Sequence, residues 1–95
     1  MNSAELIEEY FRDHTGTSSY IDGQLLLAQA AVKDADRCLE RGEKDYAVAN
    51  LAIARHLINE LSNILMLYPS HIWDELIILF HAVDNELNSL AKKKS

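Results

Sequence analysis

The segment from Asp45 to Tyr68 constrains the fold more than any other part of the chain. Its apolar residues recur at alternating spacings of four and three: Ala47, Leu51, Ala54, Ile58, Leu61, Leu65 and Tyr68. This period keeps them on one side of an α-helix, whereas a strand would require alternation by two. At about 1.5 Å per residue such a helix is roughly 35 Å long. An apolar stripe of that length must be covered by other helices.

The remaining sequence predicts three further helices, so the expected fold class is all-α. The predicted helices span about 3–13, 20–41, 45–68 and 71–92. Gly42 is expected to end the second helix in the left-handed conformation, and Pro69 to end the third. Short connections between long helices make sequence neighbours antiparallel. The sequence therefore predicts one domain, residues 1–95, folded as an antiparallel up-and-down four-helix bundle with a short N-terminal helix.

Each long helix carries its own core stripe. In the second helix the predicted stripe is Ile21, Leu25, Ala28, Val32, Ala35 and Leu39, and in the fourth it is Ile72, Leu76, Leu79, Val83, Leu87 and Leu90. The short first helix places Leu6, Ile7, Tyr10 and Phe11 on one face. Cys38 is expected to be a small buried apolar residue.

The charge and composition exclude several classes of protein. Nine lysines and arginines against fifteen aspartates and glutamates give a net charge of −6, and the only basic run is residues 92–94. Nucleic-acid binding needs clustered cations, so no nucleic-acid partner is expected. A single cysteine cannot form an internal disulfide, and no signal peptide or apolar run of about 18 residues is present. We expect a cytoplasmic protein with no membrane association.

No catalytic or metal-binding constellation is evident in the sequence. His56 with Glu60 and His81 with Asp84 have helical ligand spacing only as isolated pairs. The Glu-x-x-His motif of di-iron bundles is absent. Asn59 and Glu60 also stand where histidine phosphotransfer bundles place a lysine and a glycine. The expectation is a protein that is not an enzyme and uses no metal and no cofactor.

Several apolar residues fall beside the main stripes and form the predicted partner-binding site. They are Leu26, Ile53, Leu57, Ile64, Trp73, Ile77 and Phe80. One interpretation is that the first helix folds over them. The other is that they form a groove for an amphipathic helix of another protein or for a second copy of the chain. Trp73 and Phe80 are the expected anchors, because large aromatic side chains dominate interface energies.

Residues of the third and fourth helices resemble a known family. The third helix carries Asn50, Leu51, Ala54, Leu57, Ile58, Glu60 and Leu61, and the fourth carries Leu76, Leu79, Phe80, Val83 and Leu87. These residues are similar to the patterns Asn-Leu-x-x-Ala-x-x-Ile-Ile-x-Glu-Leu and Leu-x-x-Leu-Tyr-x-x-Met-x-x-x-Leu of the FliS family of flagellar export chaperones. The resemblance covers about residues 35–87. It implies a non-enzymatic cytoplasmic bundle that holds the C-terminal region of flagellin as amphipathic helices until export.

Two other functions remain open at this stage. Acidic residues of the first helix, Glu5, Glu8, Glu9 and Asp13, suit a basic protein partner, as in an immunity or antitoxin-like bundle. The spare apolar residues also suit a structural homo-oligomer in which copies of the chain meet.

Overall fold

The computed structural model describes residues 3–13, 19–65 and 71–92, and these ranges are helical apart from one tight turn. The helices are α1 (Ser3–Asp13), α2 (Ser19–Glu40), α3 (Lys44–Leu65) and α4 (His71–Lys92). The all-α prediction is therefore confirmed, and the bounds of the first and fourth helices agree with it. The second helix begins and ends one residue earlier than predicted, and the third begins one residue earlier. The predicted end of the third helix, at Tyr68, lies outside the described residues.

The four helices form a ring in chain order. α3 packs against α2 on one side and against α4 on the other, and α1 packs between α2 and α4. The first turn of α1 is attached to both of its neighbours. The backbone N–H of Ser3 donates to Glu86 Oε1 at 2.7 Å, and the Gln29 side-chain amide donates to the Ala4 carbonyl at 3.3 Å. Consequently α1 and α3 occupy opposite corners of the bundle.

The turn between α2 and α3 makes these two helices antiparallel neighbours. Gly42 has a φ of 75°, the left-handed conformation predicted for it. The N–H of Glu43 donates to the Cys38 carbonyl at 2.7 Å, and the N–H of Gly42 donates to the Leu39 carbonyl at 3.1 Å. These two bonds form a Schellman motif, which satisfies carbonyls at the end of α2 and reverses the chain within a few residues.

Among the described side chains, most members of the predicted stripes are buried, Leu6, Phe11 and Leu90 are partly buried, and Leu39 is exposed. The side chains of the stripe residues Leu65 and Ile72 lie outside what the structure describes. Buried stripe residues include Ile7, Tyr10, Ile21, Leu25, Ala28, Val32, Ala35, Ala47, Leu51, Ala54, Ile58, Leu61, Leu76, Leu79, Val83 and Leu87, and Cys38 is also buried. The predicted burial of Leu39 is wrong, because its side chain is 40% exposed. Since α1 begins level with Gln29, it does not reach the last turns of α2. The small residues Ala35 and Ala47 allow the helices to approach closely at that end.

Candidate protein-binding surface

One side of α2 adjoins α3 and also carries apolar side chains that are exposed to solvent. Tyr20, Leu27, Ala31 and Cys38 follow one another at intervals of seven, four and seven residues, which places them on one side of the helix. The Asn50 side-chain amide of α3 donates to Cys38 Sγ at 3.9 Å, so this side of α2 faces α3. Tyr20 is 55% exposed and Leu27 is 58% exposed. Leu27 therefore lies beside α3 without being covered by it, and Tyr20 lies on the same side of α2 at its first turn.

A matching stripe runs along α3. Asn50, Ile53, Leu57 and Ile64 follow at intervals of three, four and seven residues. Ile53 is 53% exposed and Ile64 is 41% exposed, whereas Leu57 is partly buried and packs against the core. In the antiparallel register set by Cys38 and Asn50, Leu27 falls level with the part of α3 between Leu57 and Ile64.

The two stripes lie on the same side of the α2–α3 seam, and we call their large apolar side chains the α2–α3 face. It consists of Tyr20, Leu27, Ile53, Leu57 and Ile64. Full burial of a leucine or isoleucine side chain contributes roughly 1.5–3 kcal/mol. Scaled by its exposed fraction, Leu27 alone offers about 1–2 kcal/mol to a partner that covers it. The α2–α3 face is therefore large enough to contribute measurably to binding.

The charges near the α2–α3 face largely neutralise each other. Arg37 Nη1 lies 2.8 Å from Asp34 Oδ1, and Arg41 forms an ion pair with Glu43 at 2.6 Å. Exposed pairs of this kind contribute little to stability. Their effect here is to leave the apolar surface bordered by paired charges, with Glu60 exposed at its edge.

Phe80 and Ile77 lie on the opposite side of α3 from this face. Arg55 Nη1 donates to Asp84 Oδ1 at 3.0 Å, which identifies the side of α3 that meets α4. Phe80 and Ile77 precede Asp84 by four and seven residues and so share its side of α4. Phe80 is partly buried against the core and lines a cleft of about 270 Å³ with Ala52, Arg55, His56 and Asn59. The predicted groove that joined Phe80 to Ile53 and Leu57 is therefore not formed.

A third predicted residue, Leu26, also lies away from the α2–α3 face. Leu26 is three residues before Gln29, which donates to α1, so Leu26 lies on the α1 side of α2 and is 56% exposed. Trp73 belongs to the first turn of α4, but its side chain lies outside what the structure describes. Sequence reasoning missed Leu27 and Tyr20, although their spacing from Ala31 and Cys38 places all four residues on one side of the helix.

The position of α1 bears on the expectation that this helix folds over the spare apolar residues. α1 packs against α2 and α4. It is thus separated from Ile53, Leu57 and Ile64, which lie on the far side of the α2–α3 seam. The α2–α3 face is left open by the first helix.

The pKa values of Asp36, in the last turns of α2, and of Arg41, the residue that follows α2, are shifted. Burial raises the pKa of Asp36, and the neighbouring carboxylate of Glu40 raises it further. The bond from Arg41 to Cys38 Sγ, at 3.8 Å, raises the pKa of the arginine, with Glu43 adding to the effect. Among the described residues no group of three or more histidines, cysteines or acids is placed to hold a metal ion. None of the described helices combines the length and apolar character needed to cross a membrane.

Comparison with known proteins identifies no relative of this chain. No family model matches it, and no curated protein and no solved structure matches it either.

Proposed function

We propose that this protein is a non-enzymatic binding protein whose α2–α3 face holds an amphipathic helix of another protein. The observation that carries this proposal is the exposure of Leu27 and Ile53, which are 58% and 53% exposed on one side of the bundle. Contiguous apolar surface on a monomer is typical of interaction sites. The helix α1 packs on the other side of α2 and does not cover this face.

The shape of the face favours a helix as the occupant. Two antiparallel helices leave a shallow groove along their seam, into which a third helix fits its i, i+3, i+4 and i+7 side chains. Ile53 and Ile64 are eleven residues apart on α3, which corresponds to about 16 Å of helix. An occupant of about three turns therefore spans the exposed side chains.

The expected affinity is moderate. Burying the exposed parts of Leu27, Ile53 and Ile64 contributes about 2–5 kcal/mol in total. A partner that folds on binding loses several kcal/mol to ordering. Contacts with the half-buried Leu57 and with the aliphatic parts of neighbouring side chains must supply the rest. This balance suits a protein that holds its client and later releases it.

The specific form of the proposal is a secretion chaperone. The resemblance of α3 and α4 to flagellar export chaperones implies the C-terminal region of flagellin as the client, held in the cytoplasm before export. Leu57 belongs both to the residues that carry the resemblance and to the α2–α3 face.

Two adjacent leucines provide a matched test of this proposal. Leu26 and Leu27 are 56% and 58% exposed, but they point to different neighbours of α2. Binding of the flagellin C-terminal region is measured by titration calorimetry to the native chain, to Leu27→Asp and to Leu26→Asp. We expect Leu27→Asp to weaken binding at least ten-fold and Leu26→Asp to leave it within about two-fold, since 1.4 kcal/mol corresponds to a factor of ten. Equal affinities for the two variants would refute the assignment of the face.

Sedimentation of the isolated protein tests the alternative that a second copy covers the α2–α3 face. A monomer supports a partner from another protein, because the face is then open in solution. A dimer that Leu27→Asp dissociates would assign the face to self-association and make the protein a structural homo-oligomer.

The excess of acidic residues keeps a second candidate function in consideration. An immunity or antitoxin-like bundle would bind a basic protein through its charges rather than through the α2–α3 face. In that case binding would fall steeply with added salt, whereas apolar binding at the α2–α3 face would not.

A further inference from the structure

A second cleft lies between α1 and α4, away from the α2–α3 face. It has a volume of about 240 Å³ and is lined by Leu6, Glu9, Tyr10, Glu75, Ile78 and Leu79. Tyr10 and Leu79 are buried, Leu6 is partly buried, and Ile78 is 59% exposed. The cleft thus combines a buried apolar floor with an exposed apolar side chain.

Carboxylates from two different helices line this cleft. Glu9 is contributed by α1 and Glu75 by α4. The chain carries a net charge of −6. In the described part of the chain, three arginines are already paired with acids elsewhere: Arg37 with Asp34, Arg41 with Glu43 and Arg55 with Asp84. No lysine or arginine of the described ranges lies within ion-pair distance of Glu9. Glu9 therefore gives the apolar cleft a carboxylate with no cationic side chain of the described ranges beside it.

We propose that the α1–α4 cleft binds an arginine side chain of a protein partner. Its volume is below the roughly 300–1,000 Å³ of small-molecule sites, so it suits a single side chain. The aliphatic part of an arginine would pack on Ile78 and Leu79 while its guanidinium meets Glu9, in the manner of long side chains that bury their stems and keep their charge at the rim.

A pair of synthetic peptides tests this proposal. The probe is a capped 14-residue helix of alanine, glutamine and leucine with one arginine beside its apolar stripe, and the control peptide has citrulline at that position. Citrulline keeps the shape of arginine and removes its charge. Each peptide is titrated into the isotopically labelled full chain, and the amide resonances are followed by NMR. We expect the arginine peptide to shift resonances of residues 6–10 and 75–79, and the citrulline peptide to shift them less.

Substitutions in the protein then identify the carboxylate. Glu9→Gln is expected to raise the dissociation constant measured at these resonances about three-fold, the size of effect typical of a partly exposed ion pair. Glu60→Gln removes an exposed carboxylate elsewhere and should leave it unchanged. Ile78→Ser tests the apolar wall and should also weaken binding. Equal shifts with both peptides, shifts spread over the whole acidic surface, or the same effect from Glu9→Gln and Glu60→Gln would overturn the proposal.

Binding at the α1–α4 cleft is expected to be independent of binding at the α2–α3 face. Leu27→Asp should abolish shifts on the α2–α3 face and leave those of residues 6–10 and 75–79 in place. Loss of both sets of shifts in Leu27→Asp would also contradict a separate cleft.

Discussion

Alanine substitutions at Leu25 and Leu27 separate the core of α2 from its outer edge. The two leucines are two residues apart on one helix, and they are 0% and 58% exposed. Leu25→Ala leaves a cavity between packed helices and is expected to lower the free energy of unfolding by about 2–5 kcal/mol. Leu27→Ala loses contacts on less than half of the side chain and gains helix propensity, so the expected loss is about 1 kcal/mol or less.

Urea unfolding followed by circular dichroism measures both free energies. The free energy of unfolding should fall with urea concentration at the same slope in both variants if the two changes act on the folded state alone. The transition should also be independent of protein concentration, because an oligomer that buries Leu27 would stabilise the fold by mass action. If Leu27→Ala costs as much as Leu25→Ala, the leucine is covered in the free protein and the α2–α3 face is not available to a partner.

Three further changes test the fold and its electrostatics. In urea unfolding, Gly42→Ala should lower the free energy of unfolding by about 1–2 kcal/mol, because the φ of Gly42 is 75° and an alanine is strained there. Gly23→Ala should raise it by about 0.5–1 kcal/mol, because the space around Gly23 is open and alanine favours the helix. Asp36→Asn should stabilise the folded protein slightly at neutral pH, because a pKa that is raised in the folded state means that ionisation of Asp36 opposes folding. Unfolding measured across pH should show this gain vanish as the pH falls below the ordinary aspartate pKa. Glu86→Ala removes the acceptor for the Ser3 N–H, and hydrogen exchange should accelerate in α1 more than in α3. Uniform acceleration would contradict a local role for Glu86.

The sequence predicted the helices and the core well because both depend on local periodicity. The stripe through Leu51, Ala54 and Ile58 is buried as expected, and Gly42 has the conformation that its position requires. Leu39 continues the stripe of α2 but is exposed, because α1 does not reach that level of the bundle. Periodicity identifies the apolar side of a helix without showing how far the neighbouring helix extends.

The candidate surface was predicted only in part, for a related reason. Spacing showed that Ile53 and Phe80 lie beside their core stripes, but not which neighbour each one faces. The bonds from Asn50 to Cys38 and from Arg55 to Asp84 settle this, and they place the two residues on opposite sides of α3. Leu27 was missed because it follows two other leucines, and a run of leucines does not show which of them leaves the core.

The most direct test of the account is the accessibility of individual methyl groups before and after a client binds. A soluble paramagnetic reagent broadens the NMR signals of methyl groups that solvent reaches. In the free protein it should broaden Leu27, Ile53 and Ile64 and spare Ile58, which is fully buried. Addition of the flagellin C-terminal region should then protect the three exposed residues. Protection of these methyl groups in the free monomer, or continued broadening once the client is bound, would contradict the proposal that the α2–α3 face is the docking surface.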